Sequence, residues 1–178
     1  SAQVLYEIAA RLRAVAPLRI GVVAKAARGH MLLTGRPPEP RKAGRIVLDR
    51  AATVEDAMRT VLRRCVAHAL ANEMPARIGA DIEGVHQLRV ALRRLRSALS
   101  LFAPALPEPS RQRWVEEARW LLGCLGPCRD LDVLCEELLP VVAAAAQPLS
   151  TRLNGLRELA EVMRQRARHE ARAAVESQ

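Results

Sequence analysis

His86, Arg89, Arg93 and Arg96 stand in the segment GVHQLRVALRRLR, residues 84–96, at successive spacings of three, four and three. At about 100° per residue, these spacings put all four on one helical face, within roughly 80° of each other and along about 15 Å of axis. Arg94 falls roughly 80–100° to the side of that row. No acidic residue occurs between Glu83 and Glu108, so ion pairs within the helix cannot neutralise most of these arginines. Like charges at such spacing repel, and a polyanion relieves them. Guanidinium forks fit phosphate oxygens, which a phosphate chain offers repeatedly. A neutral imidazole donates one hydrogen bond; protonated, it donates two and adds charge. The competing reading is a solvated face whose arginines pair with acids on neighbouring helices, such as Glu116, Glu117, Glu136 and Glu137.

The element that must carry the row is an amphipathic helix over about residues 82–102. Leu88, Ala91, Leu92, Leu95, Ala98, Leu99 and Phe102 form its apolar stripe, and Pro104 and Pro107 stop it. Ahead of it, Thr53 reads as the N-cap of a helix reaching about Asn72, with Glu55 and Asp56 in the first turn. MPARIGAD, residues 74–81, reads as the loop between the two. Asn72 falls inside the apolar face of the earlier helix and His68 lies at its edge. His68 is then either a hydrogen-bonded core histidine or, facing inward, part of a polar channel beside His86. Beyond the row, Ser110 caps a helix that Gly123, Gly126 and Pro127 end near Leu122; Asp130 opens another, and Ser150 or Thr151 opens a last one running almost to Gln178. Arg129, next to Asp130, reads as the partner of a neighbouring carboxylate or as a further phosphate contact. From residue 53 onward the expected fold is all-α, an antiparallel four-helix-type bundle.

Residues 1–50 follow another pattern. A short amphipathic helix ends at Pro17; then come LRIGVV, a basic turn around Lys25 and Arg28, MLLTG, RPPEPRK and RIVLD. Short apolar runs separated by Gly and Pro predict strands or loops, hence a small mixed segment before the bundle.

The whole chain has 178 residues, enough for one domain or one domain plus a fragment of another. Its net charge of +9 comes from 26 arginines and two lysines, Lys25 and Lys42, against 19 acids. The excess is +7 over residues 1–50, +3 over 51–106 and −1 over 107–178, so the charge points to an anionic partner met by the first two thirds. Four aromatic residues (Tyr6, Phe102, Trp114, Trp120) leave an aliphatic core and argue against nucleic acid, whose bases stack on aromatic side chains. Cys65, Cys124, Cys128 and Cys135 have neither disulfide nor metal-ligand spacing and read as reduced core thiols. No cofactor or metal motif is present. No apolar run of about 18 residues suggests a membrane span, and with no signal peptide the expected address is cytoplasmic.

GVHQLRVALRRLRSALSLF (84–102) resembles the signature of CHAD domains, the conserved-histidine α-helical domains, and LLGCLGPCRDLDVL (121–134) is similar to that family's LG…RDLDV segment. The resemblance covers about residues 53–140 and extends into the last helix. It implies paired four-helix bundles with internal pseudo-twofold symmetry, enclosing a basic channel for inorganic polyphosphate. His86, Arg89, Arg93 and Arg96 would be the binding positions, with Arg94 at their side and His68 and Arg129 as subsidiary candidates. A second His/Arg helix is missing: RQRARHEAR (164–172) holds His169 among arginines without the pattern. Residues 51–178 therefore look like the first half of such a domain, to be completed either by self-association or by a second half following Gln178 in the natural chain. PLRIGVVAKAARGHMLL is similar to the tail of a CYTH (triphosphate tunnel) domain, so residues 1–50 are expected to be a CYTH-like remnant or linker. Glu7, Glu39 and Asp49 are too scattered to hold the divalent cations of triphosphatase chemistry. The chain is thus expected to be a non-catalytic polyphosphate-binding or targeting module, cytoplasmic and associated with polyphosphate granules. The alternative is the regulatory or substrate-feeding half of a CYTH-type triphosphatase.

Overall fold

A computed structural model of the chain describes residues 2–16, 18, 21, 23–36, 38–78, 82–145 and 150–177, the side chains of residues 2, 3 and 150–152 excepted. Among these residues there is no strand. The elements are α1 (Ala2–Val15), α2 (Lys25–Thr34), α3 (Val54–Ile78), α4 (Ile82–Leu101), a 3₁₀ turn at Ala103–Ala105, α5 (Glu108–Val133), a π-helical turn at Leu134–Leu138, α6 (Leu139–Ala145) and α7 (Ser150–Glu176).

α3, α4, α5 and α7 form the bundle: α4 lies between α3 and α5, and α7 packs on α5 and α3. On α5, Ala118, Leu121, Leu125, Cys128 and Asp132 recur at steps of three and four and are all buried, which defines the seam toward α4 and α7. α7 answers with Ala167, Ala171, Ala174 and Val175, small side chains that let the helices approach closely. Its charged contacts fix its direction. Arg168 pairs with Asp132 at 2.8 Å, Arg164 with Glu136 at 2.6 Å, and Arg172 donates to the Ile78 carbonyl at 2.9 Å, so α7 runs antiparallel to α5. A second cluster of Cys65, Leu95, Ala98 and Leu99 seals α3 against α4. These helices cross most closely at Gly84, where a Cβ would stand 2.7 Å from the Pro75 carbonyl carbon.

Thr53 caps α3 as expected: the Asp56 amide donates to its Oγ1 at 3.1 Å. Other boundaries differ from the sequence reading. α3 continues to Ile78, so Met74–Ile78 are helical; Pro75 forfeits one ladder bond, but it and Ala76 are buried under α4. The remaining residues of that expected loop, 79–81, lie outside the described ones, as does Pro17. α5 does not stop near Leu122. It passes through Gly123, Gly126 and Pro127 to Val133, because the burial of Leu121, Leu125 and Cys128 outweighs the bond that proline removes. Ser110 and Asp130 are consequently helix-interior residues, not caps. Pro140 follows the π turn, which takes up the missing donor without ending the rod.

Among its described residues the N-terminal segment holds no strand; of the expected LRIGVV run, residues 19, 20 and 22 lie outside the described ones. MLLT belongs to α2, whose Ala, Leu and Met favour a helix, and Gly35 ends it at φ +62°. RIVLD has a strand's composition but finds no strand among the described residues to pair with, and it runs as irregular chain beside the bundle.

A candidate anion-binding groove between two helices

α4 buries Val85, Leu88, Ala91, Leu92, Leu95, Ala98 and Leu99, so the residues between them must face outward or sideways. Arg93 is exposed, and His86, Arg89, Arg94 and Arg96 are half-buried. Arg93 and Arg96, with Ser97 and Ser100, line one wall of an open cavity of about 340 Å³. The other wall is α5, which contributes Arg111, Val115 and Arg119 at steps of four, one helical stripe. Every polar side chain of this lining is an arginine or a serine, that is, a hydrogen-bond donor to an oxyanion. Arg111 is engaged by Glu108 through Nε at 3.0 Å and through Nη2. Arg93, Arg96 and Arg119 have no carboxylate within ion-pair distance among the described residues.

The remaining expected site residues separate into different roles. Arg89 sits farther along the α4–α5 interface, where its Nη1 donates to the Leu122 carbonyl at 3.1 Å. Gly126 leaves room for that reach, since a Cβ there would stand 3.3 Å from the same Nη1. Arg129 pairs with Glu137 at 3.1 Å, in accord with the structural reading of that residue. No described residue hydrogen-bonds the His86 ring. Arg94 turns away from the row toward α3 and, with Arg93, Ser97, Val90, Cys65, Val61 and Ile46, lines a second cavity of about 520 Å³. Arg93 borders both cavities.

His68 points inward, toward the backbone of Arg41 and the side chain of Gln87. Its Nε2 lies 2.8 Å from the Arg41 carbonyl and 3.2 Å from Gln87 Oε1; Gln87 Nε2 donates to Glu83 at 2.7 Å, which orients that amide. Both neighbours of Nε2 are acceptors, so Nε2 carries the hydrogen. Asn72, fully buried, receives the Arg41 amide on Oδ1 at 2.8 Å and donates from Nδ2 to the Arg41 carbonyl at 2.9 Å and the His68 carbonyl at 2.9 Å. Asn72 and His68, polar residues of α3's apolar face, thus hold the backbone of a single residue, Arg41, of the preceding chain.

Sequence reading missed Arg111 and Arg119. Their spacing with Val115 was visible, but which helix stands opposite that stripe is decided by tertiary packing.

An all-helical antiparallel bundle with a basic groove beside the signature helix defines the class. The CHAD domain family model matches residues 60–178, two thirds of the chain, and the chain belongs to that family. No curated protein matches it. Among solved structures it is similar to the CHAD domain from the plant Ricinus communis, with 36% identity and a TM-score of 0.61. That alignment covers 77% of this chain and 44% of the plant chain, so this chain spans less than half the length of that relative.

Proposed function

We propose that this chain is a non-catalytic module that binds inorganic polyphosphate in the groove between α4 and α5. The observation that carries the reading is the convergence of Arg93, Arg96 and Arg119 on one cavity, uncompensated by carboxylates among the described residues. Holding three guanidinium groups together is unfavourable until an anion neutralises them. The serine hydroxyls of Ser97 and Ser100 add donors that suit phosphate oxygens. Membership of the CHAD family, which is linked in general to polyphosphate binding, supports the same ligand class. DNA and RNA are the competing polyanions; the lining offers no aromatic ring for a base to stack on.

The decisive variant is Arg93→Glu, Arg96→Glu, Arg119→Glu. It is expected to lose polyphosphate in a filter-retention assay while keeping the helical circular-dichroism signal and a cooperative melt. DNA displacing polyphosphate at equal phosphate concentration would turn the assignment toward nucleic acid.

A further inference from the structure

The segment that Asn72 and His68 hold lies ahead of residue 60, where the family match begins. It is nevertheless anchored to α3 and α4 at two points. At Arg41 Asn72 holds both the backbone N–H and the carbonyl and His68 holds the carbonyl, with Gln87 of α4 sharing the His68 Nε2. At Ile46, half-buried, it lines the second cavity together with Val90, Arg93, Arg94 and Ser97 of α4. From Arg41 to Ile46 the chain therefore travels in the same direction as α4, from the level of Gln87 to that of Val90–Ser97. Five extended residues reach about 17 Å, comparable with the roughly 15 Å of the His86–Arg96 row. The strap lies along the flank of the row opposite α5.

Its chemistry matches that flank. Arg41, Lys42 and Arg45 all expose their side chains, and no acid occurs between Glu39 and Asp49. Arg94, which the helical wheel sets apart from the row, faces this side. The strap's three cations thus stand on the flank that Arg94 faces, with Arg45 next in sequence to the Ile46 that shares a cavity with Arg93 and Arg94, although like charges repel. What keeps the strap there is uncharged: the Arg41 backbone, gripped by a buried amide and an imidazole, and the side chain of Ile46.

We infer that residues 38–49 form a second rail of the polyanion site, in which Arg41, Lys42, Arg45 and Arg94 engage the same phosphate chain that lies against Arg93. The inference rests on the polyphosphate reading of the groove. Arg93, shared by both cavities, is where a linear chain of phosphates passes from one rail to the other. The grip on Arg41 uses its backbone alone, and the three strap side chains have no ion-pair partner among the described residues.

Binding of fluorescently labelled polyphosphate, titrated at several salt concentrations, tests this with the full chain. Arg41→Gln, Lys42→Gln, Arg45→Gln is expected to weaken binding about tenfold and to lower the magnitude of the salt slope by about two, with an unchanged melt. The grip itself is tested by trypsin. Cleavage after Arg41, Lys42 and Arg45 in the wild-type chain should slow with polyphosphate, relative to cleavage after Arg11 and Arg13 in α1 as the internal reference. A wild-type chain that does not bind polyphosphate overturns the groove reading and the second rail with it. A wild-type chain that binds, beside a strap variant of equal affinity and slope or strap cleavage that polyphosphate does not slow, overturns the second rail alone.

Discussion

Arg89 Nη1 donates to the Leu122 carbonyl at 3.1 Å, joining the signature helix to α5 one turn before Pro127. An arginine of the expected binding row therefore also ties the bundle together. Pro127 has no amide to offer the Gly123 carbonyl, so α5 is weakened just where Arg89 reaches it. We expect Arg89→Ala to cost about 1.5–3 kcal/mol of stability, the range for a hydrogen bond from a charged donor. Gly126→Ala should cost less, because the long arginine side chain can shift by a few tenths of an ångström. Urea unfolding of both variants checks the order; an Arg89→Ala chain as stable as wild type would mean that the bond to Leu122 contributes nothing to the bundle.

The groove predicts a steep salt dependence. Each arginine that neutralises a phosphate releases condensed counterion, so polyphosphate affinity should fall by orders of magnitude between about 50 and 300 mM salt. The slope should diminish in Arg93→Gln, Arg96→Gln, Arg119→Gln and stay unchanged in Arg129→Gln, whose guanidinium belongs to Glu137. Isothermal titration across the salt series distinguishes the two variants.

Asp132 is fully buried, and Arg168 is its ion-pair partner at 2.8 Å. Removing the partner alone leaves a carboxylate inside the bundle. Arg168→Met should therefore destabilise by about 3–5 kcal/mol, and adding Asp132→Asn should restore a good part of the loss. A double-mutant cycle by denaturant unfolding measures the coupling; simple additivity would mean that the pair contributes nothing of its own.

Burial, then the charge and hydrogen bond of Asp132, push the Cys128 thiol up from 9.0 to about 11, against the lowering effect of Arg168. The fold thus favours the neutral thiol. This contribution is fully present below about pH 9 and is lost as pH rises through about 11, because the unfolded chain releases its proton first. The shift corresponds to about 2–3 kcal/mol. Burial raises the thiols of Cys65 and Cys135 too, so the test is a difference between chains. Stability of wild type should fall more steeply than that of Cys128→Ala from about pH 9 upward, followed by chemical denaturation at each pH. Parallel curves would remove Cys128 from the account.

Much of this protein was legible in its residues. The apolar stripe of α4 from Leu88 to Leu99, the Thr53 cap and the stop at Pro104 all rest on local rules of periodicity and capping, and the structure agrees with each. The family resemblance carried by the segments at 84–102 and 121–134 holds for the same reason, since both are contiguous. What local rules could not reach were choices made by packing. Pro127 and Pro75 signal helix ends by propensity, yet both sit inside helices whose neighbouring turns are buried against α4 and α7, where the gain from burial exceeds one lost hydrogen bond. RIVLD reads as a strand, but a strand needs a partner and the tertiary structure supplies helices instead. The basic row showed its charge in sequence but not its division of labour: Arg89 turned to a carbonyl, Arg94 to α3, Arg93 and Arg96 to arginines of α5. That division depends on which helices lie on either side of α4. The sequence of α4 determines the angles at which its side chains leave the helix, and only the tertiary structure decides what each of them meets.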